Sequence, residues 1–134
     1  MPGCVVDTDV VSYLFKGDTR SELYRPILTG KLLVVSFMTV AELDRWALDH
    51  NWGETRRLKM EQHLRSFVVY PFNRSLCSKW AEVMNVTRRN GRRMGFADAW
   101  IAATALLYEI PIVTHNQTHF GVVDGLEVIT GAPA

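Results

Sequence analysis

The sequence predicts an α/β domain, three layers deep, with a mostly parallel central sheet, and three observations carry that prediction. Short apolar runs alternate with amphipathic helical stretches along the whole chain, and strands separated by helices imply right-handed βαβ crossovers. The runs Cys4-Val5-Val6 and Leu32-Leu33-Val34-Val35 are continuously apolar, as expected of strands covered on both faces. With 48% hydrophobic residues among 134, there is material for one core, so residues 1–134 are expected to form a single domain.

The first strand gives way at Asp7 to Thr8–Phe15, a short helix stopped by Lys16-Gly17, and Ser21–Leu28 reads as a second helix closed by Thr29-Gly30. Lys31–Ser36 is the second strand. Met38–His50 carries Val40, Leu43, Trp46, Ala47 and Leu48 at helical spacing. An amphipathic helix over Glu54–Arg65 follows, then a third strand, Phe67–Tyr70, cut off by Pro71. Ser75–Arg88 places Leu76, Trp80, Val83 and Met84 on one side of a helix, and the run Arg88-Arg89-Asn90-Gly91-Arg92-Arg93 ends it. Phe96–Tyr108 is apolar nearly all round, which marks a buried helix. Pro111–Thr114 reads as the fourth strand, His115–His119 as a polar loop, and Leu126–Ile129 as a short last strand. There is no internal repeat, low-complexity tract or linker.

Composition narrows the function classes. Fifteen Lys and Arg against fourteen Asp and Glu leave a net charge of +1, so a nucleic-acid partner must be met by local patches rather than a global field. No apolar run approaches the roughly 18 to 20 residues that span a bilayer, and the N-terminus lacks the pattern of a signal peptide. The chain is expected to be cytoplasmic, without a membrane partner. Cys4 and Cys77 lack metal-ligand spacing and are expected to be reduced, buried thiols.

The acids point to chemistry. The first strand delivers Asp7 to the carboxyl edge of the sheet, where ligands bind in open α/β folds, although Asp before a helix also suits an N-cap. Glu42 sits in Thr39-Val40-Ala41-Glu42, which matches a capping box with Thr39 as N-cap and also lies at the edge to which Asp7 points. Asp98 opens the apolar helix. A carboxylate entering a buried layer needs a partner, either a cationic side chain, a helix N-terminus or a cation shared with other acids. Thr114-His115-Asn116 offers polar groups at the equivalent place after the fourth strand. Three carboxylates on one edge repel unless protonated or neutralised by a divalent ion. Oxygen donors without Cys suit Mg²⁺ or Mn²⁺, and such an ion would let an acidic pocket act on a phosphodiester.

Four stretches in order, Val5-Val6-Asp7-Thr8-Asp9-Val10-Val11, Thr39-Val40-Ala41-Glu42-Leu43, Phe96-Ala97-Asp98-Ala99-Trp100-Ile101-Ala102-Ala103-Thr104-Ala105 and Ile112-Val113-Thr114-His115-Asn116-Gln117-Thr118-His119-Phe120, resemble PIN-domain ribonucleases, most of all the VapC toxins of toxin–antitoxin pairs. The resemblance covers the whole chain. It implies a PIN-like α/β/α domain, Mg²⁺- or Mn²⁺-dependent endoribonuclease activity on RNA, inhibition by a VapB-type antitoxin, and frequent homodimers. Asp7, Glu42 and Asp98 match the family's acidic triad. Position 116 often carries a fourth acid and is Asn here; Asn116 can ligate through its carbonyl, with one charge fewer to hold a second metal.

Other features have plainer readings. His115 and His119 are expected to be solvent-exposed polar residues rather than ligands, the Arg88–Arg93 run a solvated helix end or a phosphate contact, and the four tryptophans core or interface. Val11, Tyr13, Leu14, Phe15, Leu43 and Trp46 exceed what one core face needs and could form a groove for an antitoxin helix. Two rival functions stand beside the nuclease. One is a catalytically silent PIN-like module that binds RNA or protein. The other is a haloacid-dehalogenase-like phosphatase, in which Asp7 would be the nucleophile and Asp9 its acid partner.

Overall fold

Side-chain alternation along each strand decides which layer it feeds. In the computed structural model, which describes residues 2–134, β1 (Gly3–Val6) sends Val5 to one apolar layer and Cys4 and Val6 to the other. The pairs Val34 and Val35 of β2 (Leu32–Ser36) and Ile112 and Val113 of β4 (Ile112–Val113) divide in the same way. With β3 (Val68–Tyr70) and β5 (Val128–Ile129), the strands pair in the order β3-β2-β1-β4-β5, all parallel. The expected three-layer α/β/α architecture is the one observed.

Seven helices cover the sheet: α1 (Thr8–Lys16), α2 (Ser21–Leu28), α3 (Phe37–Asp49), α4 (Glu54–Leu64), α5 (Arg74–Arg89), α6 (Phe96–Leu107) and α7 (Gln117–Phe120). Leu76 and Val83 of α5, Ile101 and four alanines of α6 (Ala99, Ala102, Ala103 and Ala105), and Phe120 of α7 pack on Val5, Val34 and Ile112. Val10, Val11, Tyr24, Leu28, Leu43 and Met60, from α1 to α4, pack on the opposite face with Val6, Val35 and Val113. Because α6 leads through a short turn into β4, it runs antiparallel to the strands, and its N-terminus lies at their carboxyl edge.

Three local expectations are corrected. Ser36, not Thr39, caps α3: its hydroxyl accepts from Met38 N at 3.1 Å, so the helix starts the moment the strand ends. Thr39 is instead fully buried inside the first turn and Glu42 falls in the second, so the capping box is not formed. Val11 and Leu43 are core residues and belong to no surface groove; Tyr13, Leu14, Phe15 and Trp46 are only partly buried around that core. The segment read as a polar loop, His115–His119, instead enters the four-residue α7 at Gln117, and fully buried Phe120 anchors that helix. No helix is long and apolar enough to cross a membrane among the described residues, and both cysteines are free, Cys4 buried and Cys77 half-buried.

Candidate active site

The carboxyl edge is built by hydrogen bonds that join residues far apart in sequence. Asp7 caps α1 and its Oδ1 accepts from Thr8 N at 2.8 Å, while Oδ2 accepts from Thr114 Oγ1 at 2.7 Å. Both readings of Asp7, cap and edge acid, therefore hold. Thr114 Oγ1 also accepts from Asn116 N at 3.0 Å. Thr8 Oγ1 lies 2.7 Å from Glu42 Oε1 and 3.0 Å from Thr39 Oγ1. A hydroxyl has one proton to give, so Thr8 donates to the carboxylate and takes Thr39 as its own donor. Thr8 thus links the Asp7 turn, by its backbone, to Glu42, by its side chain.

Asp98 is at the third position of α6, in the turn opened by Gly95. Its Oδ2 is 3.3 Å from His119 Nδ1, and it opens into a recess of about 410 Å³ lined also by Arg92, Arg93, Thr118 and His119. The arginine run thus ends beside this acid. Asp9 is half-buried with both oxygens engaged, Oδ1 by Val10 N at 2.7 Å and Oδ2 by His115 N at 3.2 Å. It ties the end of β4 to α1. Asn116 is exposed at the start of α7, and its side chain makes no capping bond.

The electrostatics are those of uncompensated acid. Burial first, then Asp9 and Asp98, hold the Asp7 carboxyl well above the ordinary carboxylate range, against the pull of its bonds from Thr114 and Thr8. Glu42 is raised by burial, with Asp98 and Asp9 adding to the rise and Thr8 opposing it. Asp9 is raised by burial, against the donors at Val10 and His115. No Lys or Arg among the described residues is paired with Asp7, Asp9, Glu42 or Asp98.

Asp98 is close enough to raise both Asp7 and Glu42, yet among the described residues no three Asp, Glu, His or Cys side chains form a ready ion cage. This donor set fits an ion that needs only one or two direct carboxylates and keeps part of its water, which is the habit of Mg²⁺. It does not fit a closed Zn²⁺ site.

One expectation changes here. His115 is not solvent-exposed: it is half-buried, shares a 2.6 Å hydrogen bond from Nδ1 to the hydroxyl of Tyr24, and meets the Tyr13 ring edge-on at 5.3 Å. His119 is exposed as expected, but beside Asp98. Thr8 is the positioning residue that sequence reasoning passed over. Its one trace in the sequence is a middling helix former at the first helical position, directly after the edge acid.

A PIN domain model matches residues 4–126. Ribonuclease VapC1 of Haemophilus influenzae is 31% identical over 92% of this chain and 93% of its own, and VapC ribonuclease Y4jK of Sinorhizobium fredii is 30% identical over 93% and 94%. The structure of VapBC-1 from nontypeable Haemophilus influenzae superposes with a TM-score of 0.83 at 27% identity, over 95% of this chain and 96% of that one. That of VapBC2 from Rickettsia felis, bound to a promoter DNA fragment, shares the fold with a TM-score of 0.82 at 18% identity, over 94% and 96%.

Proposed function

We propose, from the premise that this chain belongs to the PIN-domain family and within it to the VapC ribonucleases, that it is a divalent-metal-dependent endoribonuclease and the toxin member of a toxin–antitoxin pair. The observation that carries the reading is Asp7: a carboxylate only 5% exposed, raised by burial and then by its acidic neighbours, and without a basic partner among the described residues, is an unfavourable arrangement unless a cation joins it. Asp7, Glu42 and Asp98 would hold Mg²⁺ or Mn²⁺, with Asn116 adding a neutral oxygen. When bound, the ion supplies charge neutralisation toward the phosphate and acidity to a water.

The chain's own residues do the positioning. Thr114 and Thr8 N each occupy one lone pair of Asp7 and leave the rest of the carboxylate to face the edge. Thr8 holds Glu42 by Oε1, leaving Oε2 to take a proton from the attacking water; a carboxylate raised by burial is better matched to that task at neutral pH. Arg92 and Arg93, beside Asp98, suit the flanking phosphates.

The phosphatase alternative would need Asp9 free to act as an acid, whereas both its oxygens accept backbone N–H groups. The test of the nuclease is cleavage of a short RNA panel with Mg²⁺ or Mn²⁺ and with EDTA, for the parent and for Glu42→Ala and Asp98→Ala. Metal-dependent cleavage lost in both variants is expected. Cleavage that persists in EDTA would refute the metal, and a well-folded parent that binds RNA without cutting it would favour the silent module. A VapB-type antitoxin is the proposed partner, motivated by the VapBC complex of the Haemophilus relative. Co-expression with the neighbouring reading frame should yield a co-purifying, inactive complex, and undiminished cleavage in that complex would refute the pairing. A homodimer belongs to the same proposal, and sedimentation velocity tests it.

A further inference from the structure

A row of aromatic rings crosses the surface beside Asp98. Phe72, Phe37, Trp100, Trp80 and Phe96 follow one another at centroid separations of 5.7, 5.3, 5.0 and 5.9 Å. Both ends are open, with Phe72 66% and Phe96 70% exposed. Phe96 is the first residue of α6, two ahead of Asp98. Trp80 stacks on Trp100 with 19° between the planes and donates its indole N–H to Phe96 O at 3.3 Å, so its ring is oriented before anything binds.

Trp80 and Phe96 form one wall of an open recess of about 470 Å³ that is completed by Met84, Asn85, Arg88 and Arg93, within the size range of small-ligand pockets. Arg93 also lines the recess that contains Asp98, so the two hollows meet at one guanidinium. Arg88, Arg92 and Arg93 have no carboxylate within ion-pair distance among the described residues. In a chain of net charge +1, this is a local concentration of positive charge not taken up in ion pairs.

We infer that the Trp80–Phe96 recess is a nucleotide subsite for single-stranded RNA, in which a base near the scissile phosphate stacks on these rings while Arg88 and Arg93 hold phosphates. The inference rests on the nuclease reading for which phosphate is cut, and it extends that reading to how the strand is held. Every base has a π-face for an aromatic platform, and Asn85 offers both a donor and an acceptor to a base edge. A duplex does not fit, because its bases are already stacked inside the helix. The other occupant an aromatic row invites is a second copy of this chain. Two-fold pairing centred on this recess would bring its arginines against their own copies, whereas an RNA strand brings the opposite charge.

The test measures binding apart from turnover: fluorescence anisotropy of a labelled oligoadenylate, and of an RNA duplex, with the full chain in EDTA. Phe96→Ala should bind the oligoadenylate roughly 5- to 150-fold more weakly, the range for one base lost from an aromatic platform. Phe96→Trp should restore affinity, and Leu58→Ala, an exposed position on α4, should match the parent. Arg93→Ala should lower the slope of log affinity against log salt by about one phosphate contact. Duplex binding should ignore Phe96. An affinity for single strands that is unchanged in Phe96→Ala, or no single-strand binding by the parent, overturns the subsite. So does a Phe96→Ala chain that sediments as a monomer where the parent is a dimer while its affinity per protomer is unchanged, since the face would then join copies. Cleavage with Mg²⁺ is read in parallel. A parent that cuts RNA while binding is indifferent to Phe96 keeps its nuclease function and loses the subsite, and a parent that binds through Phe96 without cutting does the reverse.

Discussion

Replacing Asp7 with Asn is expected to silence cleavage and, at the same time, to stabilise the metal-free protein. Asp7 Oδ2 and Oδ1 accept bonds of 2.7 Å from Thr114 Oγ1 and 2.8 Å from Thr8 N. An amide has one acceptor oxygen, so Asn keeps the bond from Thr8 N while its NH2 donates to Thr114 Oγ1 instead; bonds to a charged acceptor contribute about 1.5–3 kcal/mol and neutral ones about 0.5–1.5, so the amide forfeits about 2 kcal/mol over the pair. Against this stands the effective cost of keeping an ion from water, several kcal/mol, borne here by a carboxylate 5% exposed with no basic partner among the described residues. The net expectation is a gain of about 1–2 kcal/mol at pH 7, or roughly 3–8 °C in Tm for a chain of this size.

The pH dependence has a fixed sign. The folded-state pKa of Asp7 lies above its ordinary value of 3.8, so as pH rises the unfolded chain releases this proton first. The parent's stability therefore falls from that ordinary value up through the raised folded value, and above it the penalty is complete. Parent and variant should be well separated at pH 7 and converge toward pH 4. An ion that binds only the folded parent adds about 2.7 kcal/mol at a hundred times its Kd, enough to close or reverse the gap in Mg²⁺. Urea denaturation in EDTA and in Mg²⁺, at both pH values, measures each arm. An Asn variant less stable than the parent at pH 7 in EDTA would refute the reasoning, since the carboxylate would then be stabilised by the fold rather than strained in it.

Thr8→Val removes the donor that holds Glu42 Oε1 and should lower cleavage by about 10- to 100-fold, the scale for residues that orient metal ligands. Because that donor lowers the Glu42 pKa, its loss should move the acidic limb of the pH–rate profile upward, and an unmoved limb would count against Thr8 as the bridge. Asn116→Asp should tighten Mn²⁺ binding in calorimetric titration by adding a carboxylate near the set; equal or weaker affinity would place position 116 away from the ion. Gly131→Ala tests the packing of the C-terminal segment on α2. A Cβ there would lie 2.8 Å from Leu23 O and 3.1 Å from Leu23 Cβ, so a thermal melt should show a loss of about 1–3 kcal/mol, and an unchanged Tm would refute the close approach.

Local sequence determined the order of elements, the parallel sheet and the placement of Asp7 and Asp98 at element junctions, because hydrophobic periodicity and helix stops act over a few residues. Glu42 was placed at the right edge for a partly wrong reason: the chain offers two hydroxyls, Ser36 and Thr39, and which one caps α3 depends on where β2 stops pairing with β1 and β3. Tertiary structure alone decided the rest. Thr8 reaches Glu42 across 34 residues, Thr114 reaches Asp7 across 107, and Tyr24 holds His115 across 91. These contacts exist because strand order sets β2 and β4 on either side of β1, bringing the ends of distant segments to one edge. The same stacking of layers drew Val11 and Leu43 into the core and lined up Phe72, Phe37, Trp100, Trp80 and Phe96 from three helices and a loop, a neighbourhood that no spacing within one helix could reveal.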